Sequence, residues 1–352
     1  MHVFDYSFLD TGLLPAEMVT LASTVAAFGA ISDERRGQNK SVYTELEKVA
    51  RVQSVKGSNA IEGIVTTDAR IREIVNGNSA PISHSEREIA GYRDALDEIH
   101  RGFELMPINE NTILHLHQVM TSAAGYDQSG QYKAEDNLIM EVDMRGRRRV
   151  RFEPVPAAQT GEAMEQLILA YMDARDNPRI SKLLLIPCVI LDFLCIHPFA
   201  DGNGRVSRLL TLLLLYKSGY DICRYASFEE QINLSKDYYY ESLRESSEGW
   251  HTNENSYVSF MKNFLSTLFK CYKELDKRFA VVNGKRISKK ERIEQTVLGS
   301  ILPISKAEIC QLLPDVSPTT VEAVLGQMTK DGRIAKLGQA RATKYVNARH
   351  IK

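Results

Sequence analysis

The chain has 352 residues, 43% apolar and 25% charged. That is a soluble globular composition with material for two or three domains, and it excludes a disordered, fibrous or low-complexity protein. A net charge of −1 hides an asymmetry: residues 283–352 carry 13 basic and 6 acidic side chains, against 31 and 39 in the rest.

The N-terminus shows no secretory signal, since Asp5 and Asp10 stand where a positive segment belongs. Residues 21–31 are apolar and rich in small side chains, and read as a helix. Residues 41–61 repeat apolar side chains at helical spacing through Leu46, Val49, Val52 and Val55. Residues 85–103, 111–123 and 160–175 follow the same pattern. Between them, 137–142 and 149–152 read as short strands around a turn marked by Gly146, and Pro154 and Pro156 end the second. A lone hairpin needs support from the helices around it or from an added strand. Its arginines at 145, 147, 148 and 149 read as a solvated turn or as a lure for acidic targets.

Residues 181–196 and 206–216 are apolar nearly all round, which marks helices at the centre of a domain. The first contains Pro187 and Asp192 and is too short to span a bilayer. Residues 235–246 and 254–279 continue the helical pattern up to a linker at Val282, Asn283 and Gly284. Helices follow at 289–300, 306–312 and 318–331, the last capped by Ser317 with Pro318 in its first turn. Two short strands, 333–337 and 343–346, flank a loop holding Arg341. The five cysteines form no C-x-x-C pair and read as buried, reduced thiols. The expected protein is mainly α-helical and cytoplasmic, without membrane attachment, in three parts: 1–110, 111–280 and 285–352.

The chemistry concentrates in His197, Pro198, Phe199, Ala200, Asp201, Gly202, Asn203, Gly204 and Arg205, with Arg208 three further on. Pro198 disfavours the α region at His197, so the first buried helix ends there. Gly202 and Gly204 let backbone approach a ligand. Amides opening the second helix, with its dipole, favour an anion. Arg205 and Arg208 share one face and suit a di- or triphosphate. Asp201 is a hard oxygen ligand suited to Mg²⁺, and His197 suits a general base.

His-Pro-Phe-x-Asp-Gly-Asn-Gly-Arg-x-x-Arg resembles the signature of the Fic (Fic/DOC) family at every defining position, and similar features run from about Ser41 to Leu268. The resemblance implies a Fic-type helical bundle with a β-hairpin flap, 111–280 being its core and 1–110 an N-terminal helical region. It implies transfer of AMP from ATP to a Ser, Thr or Tyr hydroxyl of a target protein. His197 would take the hydroxyl proton and Asp201 would hold Mg²⁺. Gly202, Asn203 and Gly204 would form an anion hole. Arg205 and Arg208 would bind the β- and γ-phosphates, and Phe199 would anchor the loop.

Ser58, Asn59, Ala60, Ile61, Glu62 and Gly63 resemble the family's inhibitory motif, while Gly63 also suits a helix C-cap. By that resemblance Glu62 pairs with Arg208 in place of the γ-phosphate. In some relatives the same glutamate helps remove AMP, so a reverse activity stays open. The 137–152 hairpin resembles the flap that takes a target segment by strand addition. Tyr239, Tyr240, Leu243 and Ser247 match the adenine-side helix loosely, with core packing as the other reading; Tyr240 and Ser247 are the nucleotide contacts expected there. The tail, 285–352, resembles a winged-helix domain. DNA binding would place the 318–331 helix in the major groove, although Lys330 is its one basic residue; protein contact and homodimerisation are the alternatives. The competing function is a DNA-binding regulator whose loop senses nucleotide.

Overall fold

The computed structural model describes residues 2–142, 147–283, 288–300, 303–313, 316–338 and 343–348. The chain is mainly helical. Six helices come first: α1 (Phe8–Thr11), α2 (Ala16–Gln38), α3 (Lys40–Ile61), α4 (Asp68–Val75), α5 (His84–Gly102) and α6 (Glu110–Ser122). Strands β1 (Ile139–Val142) and β2 (Arg148–Phe152) form an antiparallel hairpin. Then come α7 (Thr160–Asp176), α8 (Lys182–Ile196), α9 (Asn203–Lys217), α10 (Phe228–Asn233), α11 (Lys236–Ser247) and α12 (Val258–Asn283). The tail holds α13 (Lys289–Leu298), β3 (Ile304–Ser305), α14 (Lys306–Leu312), α15 (Pro318–Lys330), β4 (Ile334–Leu337) and β5 (Lys344–Asn347), its strands ordered β3-β5-β4.

Helices α8 and α9 lack a polar face, so only a position covered on all sides satisfies them. They pack on each other, with α7, α11 and α12 against α8 and α3, α5 and α6 against α9. Leu185, Leu191, Phe193, Leu209 and Leu213 are fully buried in this centre. One carboxylate sits among them. Asp192 accepts hydrogen bonds from Tyr6 (2.7 Å), Trp250 Nε1 (2.8 Å) and Tyr257 (3.0 Å), which straps the N-terminal segment and the start of α12 to α8.

The linker expected at 282–284 starts too early, because α12 keeps its helical backbone through Asn283; Gly284 lies outside the described residues. The hairpin turn with Arg145 and Gly146, and the wing loop with Arg341, also lie outside them. Helices α4 and α10, of eight and six residues, are too short to show a period, and β3 has two residues. Among the described residues no helix is long and apolar enough to cross a membrane.

Candidate active site

Helix α8 ends at Ile196 and α9 begins at Asn203, so six residues turn the chain between two buried helices. His197 takes the left-handed conformation, with φ 52° and ψ 60°. The helix stops where Pro198 requires, but in the left-handed region rather than an extended one. The His197 amide still donates to Phe193 O (3.0 Å), which closes α8. Phe199 is fully buried and stacks on His117, the rings 3.9 Å apart and 5° from parallel.

Asn203 ties the loop to itself. Its Oδ1 accepts from the Phe199 amide (2.9 Å) and its Nδ2 donates to Phe199 O (2.7 Å). The Asn203 side chain is thereby committed, and its backbone amide is what it offers an anion. The first helical bond of α9 runs from Val206 N to Gly202 O (2.9 Å), so the amides of Asn203, Gly204 and Arg205 precede it at the cradle. Gly202, with φ +81°, supplies the turn into the helix.

His197 Nδ1 lies 3.2 Å from Leu194 O. A carbonyl only accepts, so the proton sits on Nδ1 and the lone pair on Nε2. Burial pushes the imidazole down to about 4, so it is a neutral base at pH 7. His117 holds the loop from beneath: Gly130 N donates to its Nδ1 (3.0 Å), so Nε2–H donates to Asp201 O (3.2 Å).

The two arginines meet different carboxylates. Arg208 Nε donates to Ser58 Oγ (2.8 Å), and Nη2 to Ser58 O (3.0 Å) and Glu62 Oε1 (2.8 Å). Burial opposes the charge on Arg208, and Glu62 together with Tyr239 and Tyr92 more than offsets it, so the guanidinium stays ionised. Glu62 follows the last residue of α3 and lies so close over Gly204 that a side chain there would run into its carboxylate. Arg205 Nη1 pairs with Glu88 Oε1 (3.0 Å), and Nη2 donates to the Tyr126 hydroxyl (3.1 Å). That hydroxyl stands 2.5 Å from Glu88 Oε1 and 3.1 Å from Asp201 Oδ2, and its one proton goes to either carboxylate.

One cavity of about 290 Å³ gathers the expected residues His197, Asp201, Gly202, Asn203, Gly204, Arg205 and Arg208 with Glu62, Tyr239, Tyr240, Leu243 and Ser247. Ser58 and Phe199 stand behind its wall. A larger hollow, of about 450 Å³, lies between α3, α12 and the tail, where Lys48 pairs with Glu45 and Arg278 with Glu274. Sequence reasoning missed Glu88, His117, Tyr126 and Arg151. Each is an ordinary polar residue in its own segment.

A helical bundle thus presents a histidine and a helix N-terminus under a hairpin. The chain belongs to the Fic/DOC family, whose pattern matches residues 107–215. It is 31% identical over 137 residues to a Fido domain-containing protein of Dictyostelium discoideum, covering 38% of this chain and 94% of that one. It is 25% identical over 181 residues to the protein adenylyltransferase Fic of Nematostella vectensis, covering 49% of this chain and only 39% of that longer protein. The fold is similar to that of a Fic family protein from Desulfovibrio desulfuricans G20, with a TM-score of 0.63, 18% identity, and coverage of 95% and 97% of the two chains. Fic-1 from C. elegans shares it over 74% of this chain and 73% of that one, with a TM-score of 0.55 and 17% identity.

Proposed function

We propose that this protein moves AMP from ATP to a Ser, Thr or Tyr hydroxyl of a target protein, and that Glu62 holds the activity in check. The observation that carries the reading is the neutral His197, with Nε2 as its free base, in one cavity with the amides opening α9 and two arginines. The amides and arginines would take the phosphates. The target hydroxyl gives its proton to His197 Nε2 and its oxygen bonds the α-phosphorus. The bond from that phosphorus to the bridging oxygen breaks, and pyrophosphate leaves with the electron pair.

Asp201 suits Mg²⁺ that arrives with the nucleotide, because Mg²⁺ is held by one or two carboxylates plus phosphate oxygens. Among the described residues no group of three acidic, histidine or cysteine side chains could hold a metal alone, which favours that shared site. The ion would neutralise phosphate charge; Asp201 would hold it, and Tyr126 would give up its contact with Oδ2. Among the described residues strand β1 pairs only with β2, and Leu138 and Met140 are exposed there, an edge suited to an extended target segment.

Glu62 takes one of the Arg208 donors and places negative charge at the cradle, where a triphosphate would be repelled. The test is mass spectrometry after incubation with ATP and Mg²⁺. Glu62→Gly is expected to gain one AMP, wild type far less, and Glu62→Gly with His197→Ala none. Equal labelling of wild type and Glu62→Gly would remove the restraint, and no label on either would remove the activity.

A further inference from the structure

The flap carries a cation that the loop signature does not include. In the hairpin Ile139 pairs with Phe152 and Met140 pairs with Val150. Two adjacent residues of β1 thus face two residues of β2 that are one apart, and Arg151 is the extra residue between them. A bulge of this kind re-aims a side chain, and bulges are over-represented beside active sites. Its neighbours show the contrast. Arg149 is largely exposed and pairs with Glu141, and Val150 is exposed. Arg151 turns inward and lines the cavity that holds His197, Asp201 and Arg208.

The carboxylate whose charge Arg151 feels, that of Glu141, is already paired with Arg149. Among the described residues Arg151 makes no ion pair, and its Nε is buried without a hydrogen-bond partner. Burial pulls its pKa down, as it does for a cation short of compensation. An uncompensated guanidinium is costly to bury, and a fold keeps one where a ligand supplies the anion. Its charge is also felt by the His197 imidazole, as are those of Lys133 and Glu62.

We propose that Arg151 is a further nucleotide-binding residue, which contacts the α-phosphate from the flap, opposite the amides of α9. The inference rests on the AMP-transfer reading. As the new oxygen–phosphorus bond forms and pyrophosphate leaves, charge is carried on the α-phosphate's remaining oxygens, and a fixed guanidinium stabilises it. The flap would then bind nucleotide with its inward face and target with its edge, so that hairpin closure over ATP presents the hydroxyl at the same time.

The test uses the full chain with Glu62→Gly as parent, titrated with AMP and with adenosine, and assayed for AMP transfer. Arg151→Gln should lower the transfer rate about 100-fold, as loss of one such donor does. It should weaken AMP binding and leave adenosine binding unchanged, since adenosine has no phosphate. Arg151→Lys should recover part of both, and guards against a folding defect in the glutamine variant. Arg149→Gln should alter neither. Arg151→Gln that matches the parent in rate and AMP affinity would overturn the inference. So would a loss confined to affinity for the target protein, which would make Arg151 a contact for an acidic target group. A parent that neither binds AMP nor transfers it would bring down the activity reading itself, and that is visible before Arg151 is changed.

Discussion

Arg205 and Arg208 lie one turn apart on α9, and each meets a glutamate, yet the two ends are built differently. Glu62 sits just past the end of α3, its side chain is 31% exposed, and it gives Arg208 one contact. Arg208 has two other acceptors, both on Ser58, and keeps those two hydrogen bonds if Glu62 leaves. Glu88 sits in the second turn of α5, 7% exposed, with helix on both sides. It is shared by Arg205 and Tyr126, and His84 lies 3.7 Å away. The Glu62 contact can be withdrawn while Ser58 still holds Arg208 in place, whereas removal of Glu88 leaves Arg205 with the Tyr126 hydroxyl. A contact of the first kind suits a switch and one of the second suits a support.

The largest expected effect comes from removing each carboxylate in turn. Glu88→Ala leaves Arg205 buried without its counter-ion, and breaking a buried pair from one side costs about 3–5 kcal/mol. Glu62→Ala should cost less, because its carboxylate is partly exposed and Arg208 keeps both Ser58 acceptors. Urea unfolding at pH 7 measures both. Equal losses would erase the distinction between the two ends. In the Glu62→Gly background, Glu88→Gln should also lower AMP transfer, because it loosens Arg205 and the phenol beside Asp201.

The loop between the two ends carries the base, and the next effect is its pH response. Burial lowers His197 to about 4, so the neutral form that accepts a proton persists down to that pH. In Glu62→Gly, kcat/KM should show no histidine limb between pH 8 and 5. Below pH 4 it should fall roughly tenfold per unit as the imidazole protonates. A pH–rate profile with labelled ATP checks this. An acid limb centred near 6.5 would show the imidazole to be solvated, and the loop less closed than its contacts with Leu194 and Phe193 require.

The Glu62–Arg208 pairing was legible in the sequence and the Glu88–Arg205 pairing was not. His197 to Arg208 act from adjacent positions, because a helix N-terminus and the turn before it make one anion cradle from one segment. Ser58 and Glu62 were legible for the same reason, as one helix end. Glu88, His117 and Tyr126 reach the loop from separate segments, and nothing in the chain near them marks the meeting. Arg151 depends on strand register, which neither strand reveals alone. Asp192 was visible as a carboxylate in an apolar run, but its purpose lay in Tyr6, Trp250 and Tyr257, far away along the chain. Burial raises it to about 7 even with those three donors. Tyr239 and Tyr240 do share the cavity, while Tyr238 is exposed, as helical rotation over three consecutive residues requires.

The smallest change separates the two ways in which Glu62 could restrain the site. Its carboxylate fills the space over Gly204, which would restrain by bulk, and it takes an Arg208 donor, which would restrain by charge. Glu62→Gln keeps the bulk and one acceptor and removes the charge. Stability should stay within about 0.5 kcal/mol of wild type, as for a substitution at a partly exposed site. Automodification should rise above wild type yet stay below Glu62→Gly, because the amide still occupies the cradle but no longer repels phosphate. Labelling equal to Glu62→Gly would assign the restraint to charge alone, and labelling equal to wild type would assign it to bulk. The intermediate result is expected because Arg208, anchored by Ser58, stays in place for ATP whichever side chain stands at position 62.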